Sequence, residues 1–381
     1  MRRVDVLVVG AGLAGLHTAR LLAGSGLEAL VVERRRSLSA GVRTTGIFVR
    51  RTLDDFDLPE HLLGPGIRDV LLYPPSRRAP VRLSSDRDEY RVADMPGVYA
   101  YARAAAEAAG ARVLLGVRYV RASPAGGPVH LEGTEPVVAR FVVGADGARS
   151  RVARDLGLDV NRRFLVGAEL VHPIAPGTGA PAFHCVLDPR IAPGYLGWVV
   201  DDGRQAHVGV AGHPDAMRRG VRHLLDTFAA DAPGRVAAAG PVERRGGPIP
   251  VGGVLRRLAC PAGLLVGDAA GAVSPLTAGG LDPCLRMSEL AAAVVAGYLR
   301  TGDQGVLRQY DGGALRRRFR GRLAMRRVFA GVRSPAVMEA AVAVLRSGGG
   351  RAVAGRVLFG DGSFPDVGPR IEGLAAGHPG R

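Results

Sequence analysis

The chain has no lysine: its Lys+Arg total of 51 is arginine throughout. That absence removes Schiff-base chemistry and the lysine of a phosphate-binding P-loop. Cysteine is almost as scarce. Cys185, Cys260 and Cys284 are too few and too scattered for a disulfide framework or a zinc site, so no metal is expected and all three read as small buried residues. Long apolar runs are missing too. None reaches the roughly eighteen residues that a membrane-spanning helix needs, and the N-terminal apolar segment enters a glycine turn without a cleavage pattern, which predicts a soluble, cytoplasmic protein. Acidic residues are outnumbered, giving a formal net charge of +16. Arginine to the exclusion of lysine, beside 55 glycines, reads as compositional bias, so no nucleic-acid partner is expected on charge alone.

What is present is organised around the first thirty-three residues. Val4-Asp5-Val6-Leu7-Val8-Val9 runs into Gly10-Ala11-Gly12-Leu13-Ala14-Gly15, and a second apolar stretch closes on Val31-Val32-Glu33. A short continuous apolar run suits a parallel strand buried on both faces. Gly10 permits a tight turn, Gly12 lets a pyrophosphate approach the backbone, and Gly15 lets the following helix pack on the strand. That helix, read as Leu13 to Ala23, aims its amides and positive dipole end at phosphates. Glu33 follows Gly15 by eighteen positions, where an acid can accept from ribose hydroxyls. The stretch reads as a dinucleotide site, with NAD and FAD both open.

Downstream, Arg34 opens a polar connection to Gly41-Val42-Arg43-Thr44-Thr45-Gly46, a glycine-flanked loop expected near the rest of the cofactor. Leu71 to Tyr73 and Val81 to Leu83 read as two antiparallel strands, Pro96 to Ala109 as a helix ended by Gly110, and Val137 to Val143 as a strand reaching Gly144-Ala145-Asp146-Gly147. From Asn161 to Arg256 alternating strands and Pro/Gly turns predict an antiparallel sheet, interrupted by a helix over Met217 to Ala230. Gly263 to Val266 then leads into Gly267-Asp268-Ala269-Ala270-Gly271 and a long helix, Leu281 to Leu299. The nucleotide domain is thus expected to be discontinuous (1–66, 96–160 and 258–302), with a substrate-side sheet from 67–95 and 161–257. Residues 303–381 form a C-terminal helical region with a frayed end. Within it Leu315, Phe319 and Leu323 predict one amphipathic helix over Gln309 to Val332, its basic face either solvated or in peripheral contact with a membrane.

Three glycine-and-acid turns, each after a strand, exceed what NAD needs. In that order and spacing the chain resembles the flavoprotein superfamily of aromatic hydroxylases, lycopene cyclases and geranylgeranyl reductases. The resemblance implies an α/β fold: a Rossmann-like FAD-binding domain of the GR2 type with an inserted antiparallel-sheet substrate domain and C-terminal helices. It implies that Asp146 and Gly147 support the nucleotide site, that Gly267 and Asp268 face the ribityl chain, and that Gly279, Gly280 and Leu281 bring a helix N-terminus to the flavin, where amides stabilise negative charge. Arg43 falls beside the cofactor by the same reading, with Thr44 and Thr45 on the substrate side.

Ser274 to Leu281 and Pro193 to Val200 are closer to the reductase pattern than to the hydroxylase one. Tyr195 and Trp198, the only tryptophan, are expected to wall the substrate cavity. The spacing has one residue more between them than in such reductases, and the Gly41–Gly46 loop lacks the cysteine that several of them carry. His184 and His207 lie in the same sheet, where lone histidines are more often structural, and no catalytic residue is assigned. The expected activity is FAD-dependent reduction of a double bond in an apolar small molecule, with electrons from transient NAD(P)H or a protein donor, since one glycine fingerprint leaves no resident nicotinamide site. Hydroxylation of an aromatic or polyketide-type natural product is the alternative.

Overall fold

The computed structural model describes residues 2–123, 126–175, 177, 179–218 and 220–359. Its first sheet grows from the opening strand, Arg2–Val9, which pairs in parallel with Val137–Gly144 on one side and Ala29–Glu33 on the other. Arg112–Leu115 extends it beyond Ala29–Glu33, and Gly263–Leu265 extends it beyond Val137–Gly144, both in parallel. Val6, Leu7, Val8, Leu30 and Val31 are wholly buried, because helices cover this sheet. Each such side chain contributes roughly 1.5–3 kcal/mol by leaving water. Helix Leu13–Gly24 packs against both Met95–Ala108 and the long helix Leu281–Thr301. Returning 250 residues later, the chain thereby completes the layer begun at its start.

A second, seven-stranded sheet runs in the order Glu243–Pro250, Phe164–Pro173, Gln205–Gly212, Gly197–Asp201, Ala182–Val186, Asp69–Tyr73, Val81–Ser84. Its pairs are antiparallel except Asp69–Tyr73 beside Ala182–Val186. The third strand of the 67–95 stretch, Tyr90–Val92, pairs instead with Ile47–Val49 in a small separate ladder.

Two expected helices are each divided. Residues 217–230 become Pro214–Arg218 and Val221–Ala230, and residues 309–332 become Gly312–Arg318 and Arg320–Gly331. The second break falls at Phe319, which is wholly buried in the apolar cluster around the first sheet. The basic face expected on this segment is also partly inward: Arg322 and Arg326 are buried, the first donating to Ser274 Oγ at 3.2 Å and the second lying 5.3 Å over the Tyr195 ring. Helices Pro335–Leu345 and Gly348–Leu358 follow, and Tyr90 Oη donates to the Leu358 carbonyl. The frayed end expected at 368–381 lies outside the described residues. No described helix is long and apolar enough to cross a membrane.

Candidate active site

The three glycine turns meet. Gly10 has φ +106, and a Cβ there would stand 2.4 Å from the Ala145 carbonyl oxygen, so the first turn is pressed against the second. A Cβ on Gly15 would stand 2.0 Å from the carbonyl oxygen of Gly10, which seats the helix on the strand end. Gly267, at φ +57, places the third turn within 2.8 Å of Ala14 Cβ by the same measure. Leu13 and Ala14 are buried beneath this junction. Gly12 differs, since a Cβ on it would meet nothing within 4 Å. The helix N-terminus therefore opens onto free space at the one glycine where a pyrophosphate needs to approach.

Glu33 braces this mouth. Its Oε2 accepts from the Ala11 amide at 3.0 Å, and Oε1 accepts from the Arg35 amide at 2.9 Å and Arg35 Nε at 3.2 Å. Burial alone would raise this carboxyl, but the two amides and the guanidinium outweigh it and hold it below its ordinary value. Arg34 is exposed, so the neighbour that touches the acid is Arg35, which the sequence reading passed over. Arg35 also lies 6.0 Å over the ring of Tyr99, a second unexpected member. Burial pushes the Tyr99 phenol up to about 12, with Arg35, Cys284, Asp268 and Arg245 all close enough to act on it.

Asp146 and Asp268 behave differently from each other. Asp146 Oδ2 accepts from the amides of Arg151 at 2.6 Å and Val152 at 3.2 Å, capping helix Arg151–Asp155 together with Ser150, and its Oδ1 is buried without a partner among the described residues. Gly147, at φ +85, leaves open space beside it. Desolvation pushes Asp268 up to about 6. A Cβ on Gly280, the N-cap of helix Leu281–Thr301, would lie 3.7 Å from Asp268 Oδ1, and the Gly279 carbonyl accepts from the Ser274 amide at 2.9 Å to close the loop before it. An open helix mouth, an orphaned buried Asp146 oxygen and a desolvated Asp268 at a second helix mouth fit an extended FAD.

On the facing sheet one residue gathers the substrate-side assignments. The buried carboxylate of Glu169, in strand Phe164–Pro173, accepts from the Thr45 hydroxyl, from Trp198 Nε1 at 3.2 Å and from His207 Nδ1 at 3.2 Å, with Arg245 at 3.7 Å. His207 Nε2 reaches Asp202 Oδ2 at 3.2 Å, and Arg245 donates to the Thr44 carbonyl at 3.2 Å. Thr45 and Trp198, distant in sequence, thus share one carboxylate. Trp198 fits because a Cβ on Gly209 would lie 2.1 Å from its ring. Arg43 is exposed on the same loop, its side chain near Gly247. Tyr195 shares one apolar cluster with Trp198: it is buried, and its hydroxyl donates to the Thr277 carbonyl at 2.6 Å, tying the sheet to the loop before Gly279. His184 bonds Tyr73 Oη at 2.9 Å, away from the cluster.

Burial works against charge on His207, yet the hydrogen bonds and charges of Asp202 and Glu169 outweigh it and raise the imidazole to about 9. A raised folded-state value stabilises fully below the unfolded value near 6.5 and is lost as pH rises through about 9. Denaturant titrations between pH 7 and 10 are expected to show a loss on the order of 2 kcal/mol that the variant His207→Gln does not show. Equal slopes in the two proteins would refute this.

Glycine–acid turns around an extended dinucleotide cradle, faced by an antiparallel wall with a buried polar cluster, define an FAD-dependent oxidoreductase. A family model described as an FAD binding domain matches residues 3–170. The chain is 30% identical over 310 residues to digeranylgeranylglycerophospholipid reductase 1 of Methanopyrus kandleri, covering 78% of this chain and 82% of that one, and 30% identical over 336 residues to the digeranylgeranylglycerophospholipid reductase of Methanoculleus marisnigri, covering 81% and 80%. It belongs to the geranylgeranyl reductase family that these proteins represent. A geranylgeranyl bacteriochlorophyll reductase-like structure from Thermoplasma acidophilum has the same fold at a TM-score of 0.82 and 23% identity, over 93% of this chain and 96% of that one. The p-nitrophenol 4-monooxygenase of Pseudomonas putida shares it at 0.69 and 20%, over 94% and 97%.

Proposed function

We propose that this protein reduces a carbon–carbon double bond of an apolar, polyprenyl-type molecule. The observation that carries this reading is the reach of the similarity to named reductases: it spans about four-fifths of the chain, beyond the FAD-binding stretch and into the second sheet. Gly10, Gly12, Leu13, Ala14, Gly15, Glu33 and Arg34 would hold the adenosine-diphosphate end of FAD, and Asp146, Gly147, Gly267, Asp268, Gly279, Gly280, Leu281 and Arg43 the remainder. Bound FAD supplies hydride chemistry. The protein's own residues orient the cofactor, stabilise charge at the helix mouth of Leu281 and close the substrate side with Thr44, Thr45 and Trp198.

Electrons reach the flavin from visiting NAD(P)H or from a donor protein, and the protein works in the cytoplasm. Exposed Val328, Val337 and Val344, at 74%, 54% and 67%, lie on two successive C-terminal helices, the first of which, Arg320–Gly331, also carries arginines, which suits peripheral contact with a membrane holding the substrate. The test is anaerobic. Flavin reduced chemically in the purified protein is expected to be reoxidised by a geranylgeranyl alcohol without oxygen, with a product heavier by two hydrogens per reduced bond. Reoxidation that requires oxygen and yields an oxygenated product would replace the reductase reading with hydroxylation.

A further inference from the structure

We propose that Asp202, His207, Glu169 and Thr45 form a proton path from the protein surface to the substrate side of the flavin. The inference rests on the reductase reading and adds to it the source of the second hydrogen.

Reduction of a double bond needs a hydride and a proton. The hydride, with its electron pair, comes from the anionic reduced flavin, which is left oxidised. The proton must be delivered to the other carbon. Cys185 and Cys284 do not meet this need: both are buried, and burial pushes both thiols far up, Cys185 to about 12. Tyr195 donates its hydroxyl to the Thr277 carbonyl, which has no proton to return.

The Glu169 cluster does meet it. Asp202 is partly exposed, at 17% of its side chain, whereas His207 and Glu169 are exposed by 3% and 4%. Hydrogen bonds run without a gap from Asp202 Oδ2 to His207 Nε2, from His207 Nδ1 to Glu169 Oε1, and from Glu169 Oε2 to the Thr45 hydroxyl. Thr45 is half-buried in the loop that also carries Arg43, and Arg245 donates to the Thr44 carbonyl of that loop at 3.2 Å. The loop runs on to Thr52, whose hydroxyl donates to Asp282 Oδ1 at 2.9 Å in the first turn of helix Leu281–Thr301, so the inner end of the path lies on the segment that reaches the second helix mouth. In one turnover the His207 imidazolium protonates Glu169, and Glu169 returns a proton to the Thr45 oxygen as the Thr45 O–H bond breaks toward the substrate carbon, so no alkoxide forms. Neutral His207 then regains its proton through Asp202 from water.

Every charged neighbour of His207 fits the assignment. Glu169 from one strand and Asp202 from the adjoining turn keep the imidazole charged up to about 9, and Arg245 keeps Glu169 from retaining the proton.

The test uses the flavin-loaded full chain, reduced without oxygen and mixed with all-trans-geranylgeraniol in detergent, in water and in deuterium oxide. Wild-type reoxidation is expected to be flat below pH 9, to fall above it, and to slow in deuterium oxide. His207→Gln should lose the pH 9 limb and slow by about tenfold to a hundredfold. Thr45→Val should slow similarly and Thr45→Ser should recover. Fluorescence of Trp198, which shares the Glu169 carboxylate, gives a readout independent of turnover: it should titrate near pH 9 in the wild type and not in His207→Gln. A pH limb and isotope effect unchanged in His207→Gln, or an unchanged rate in Thr45→Val, would overturn the path. If the prenyl alcohol does not reoxidise the wild type, the reductase reading fails. The His207–Glu169 link is then judged by the Trp198 titration, whose persistence in His207→Gln overturns it.

Discussion

Gly15→Val is expected to abolish flavin binding, yielding a protein that purifies colourless and does not bind added FAD. The added Cβ would meet the Gly10 carbonyl oxygen at 2.0 Å and Ala145 Cβ at 3.1 Å, and the oxygen is backbone at a turn that cannot withdraw without opening the sheet end. Ordinary overpacking costs about 1–3 kcal/mol, and a backbone contact this close costs more. Helix Leu13–Gly24 must lift from the strand, which misaims the amides at Gly12 and breaks the contact between Ala14 and the third turn. Gly12→Ala separates the effects. Its Cβ has free space, so the chain should fold with near-wild-type thermal stability, yet FAD affinity should fall at least tenfold because the methyl occupies the phosphate approach. Flavin released on denaturation, measured beside far-UV circular dichroism, distinguishes the two. A yellow, stable Gly15→Val protein would contradict the packing described here.

Glu169→Leu should destabilise the fold by about 3–5 kcal/mol, the cost of removing one member of a buried ionic cluster. His207 and Arg245 would remain buried without their shared anion, and Thr45 and Trp198 would lose an acceptor. Glu169→Gln keeps an acceptor and removes the charge, so it should fall between the two. In Glu169→Leu the His207 imidazole loses one of the two carboxylates that hold it charged, and its titration should move toward neutrality. The double variant Glu169→Leu/His207→Leu should recover part of the loss, because it removes the stranded cation as well. Urea unfolding of the wild type, Glu169→Leu, His207→Leu and the double variant measures this coupling.

The cofactor cradle was legible in the sequence because its information is local. Gly10, Gly12, Gly15 and Glu33 sit at fixed spacing within one strand–helix–strand unit, and the resemblance extended that reading to Asp146 and Asp268. Glu169 was not legible. Its partners Thr45, Trp198, His207 and Arg245 come from four other segments up to 124 residues away, and strand alternation says only that a residue points inward. The same limit applied to the tail, where arginine spacing suggested a basic outer face. Position 319 decides otherwise: the buried Phe319 ring ends one helix, and the next turns Arg322 and Arg326 inward, toward Ser274 and the Tyr195 ring. Arg35 rather than Arg34 met Glu33 because the acid lies at a strand end, where the chain turns its second residue back over it.

Strand Asp69–Tyr73 lies parallel to Ala182–Val186, inside a sheet whose far edge is Glu243–Pro250, while the opening strand waits for Val137–Gly144 and Gly263–Leu265 before its own sheet is complete. During synthesis the second sheet cannot close until Pro250, nor the first until Leu265, has left the ribosome. The opening strand keeps a vacant edge until Val137–Gly144 emerges, and the hairpin of Asp69–Tyr73 and Val81–Ser84 lacks its neighbour until Ala182–Val186 does. Long-range parallel pairing of this kind is slow and exposes surface that aggregates. Yield in a recombinant host should therefore respond to slower translation and to chaperone supply more than to substitutions that raise the stability of the finished fold.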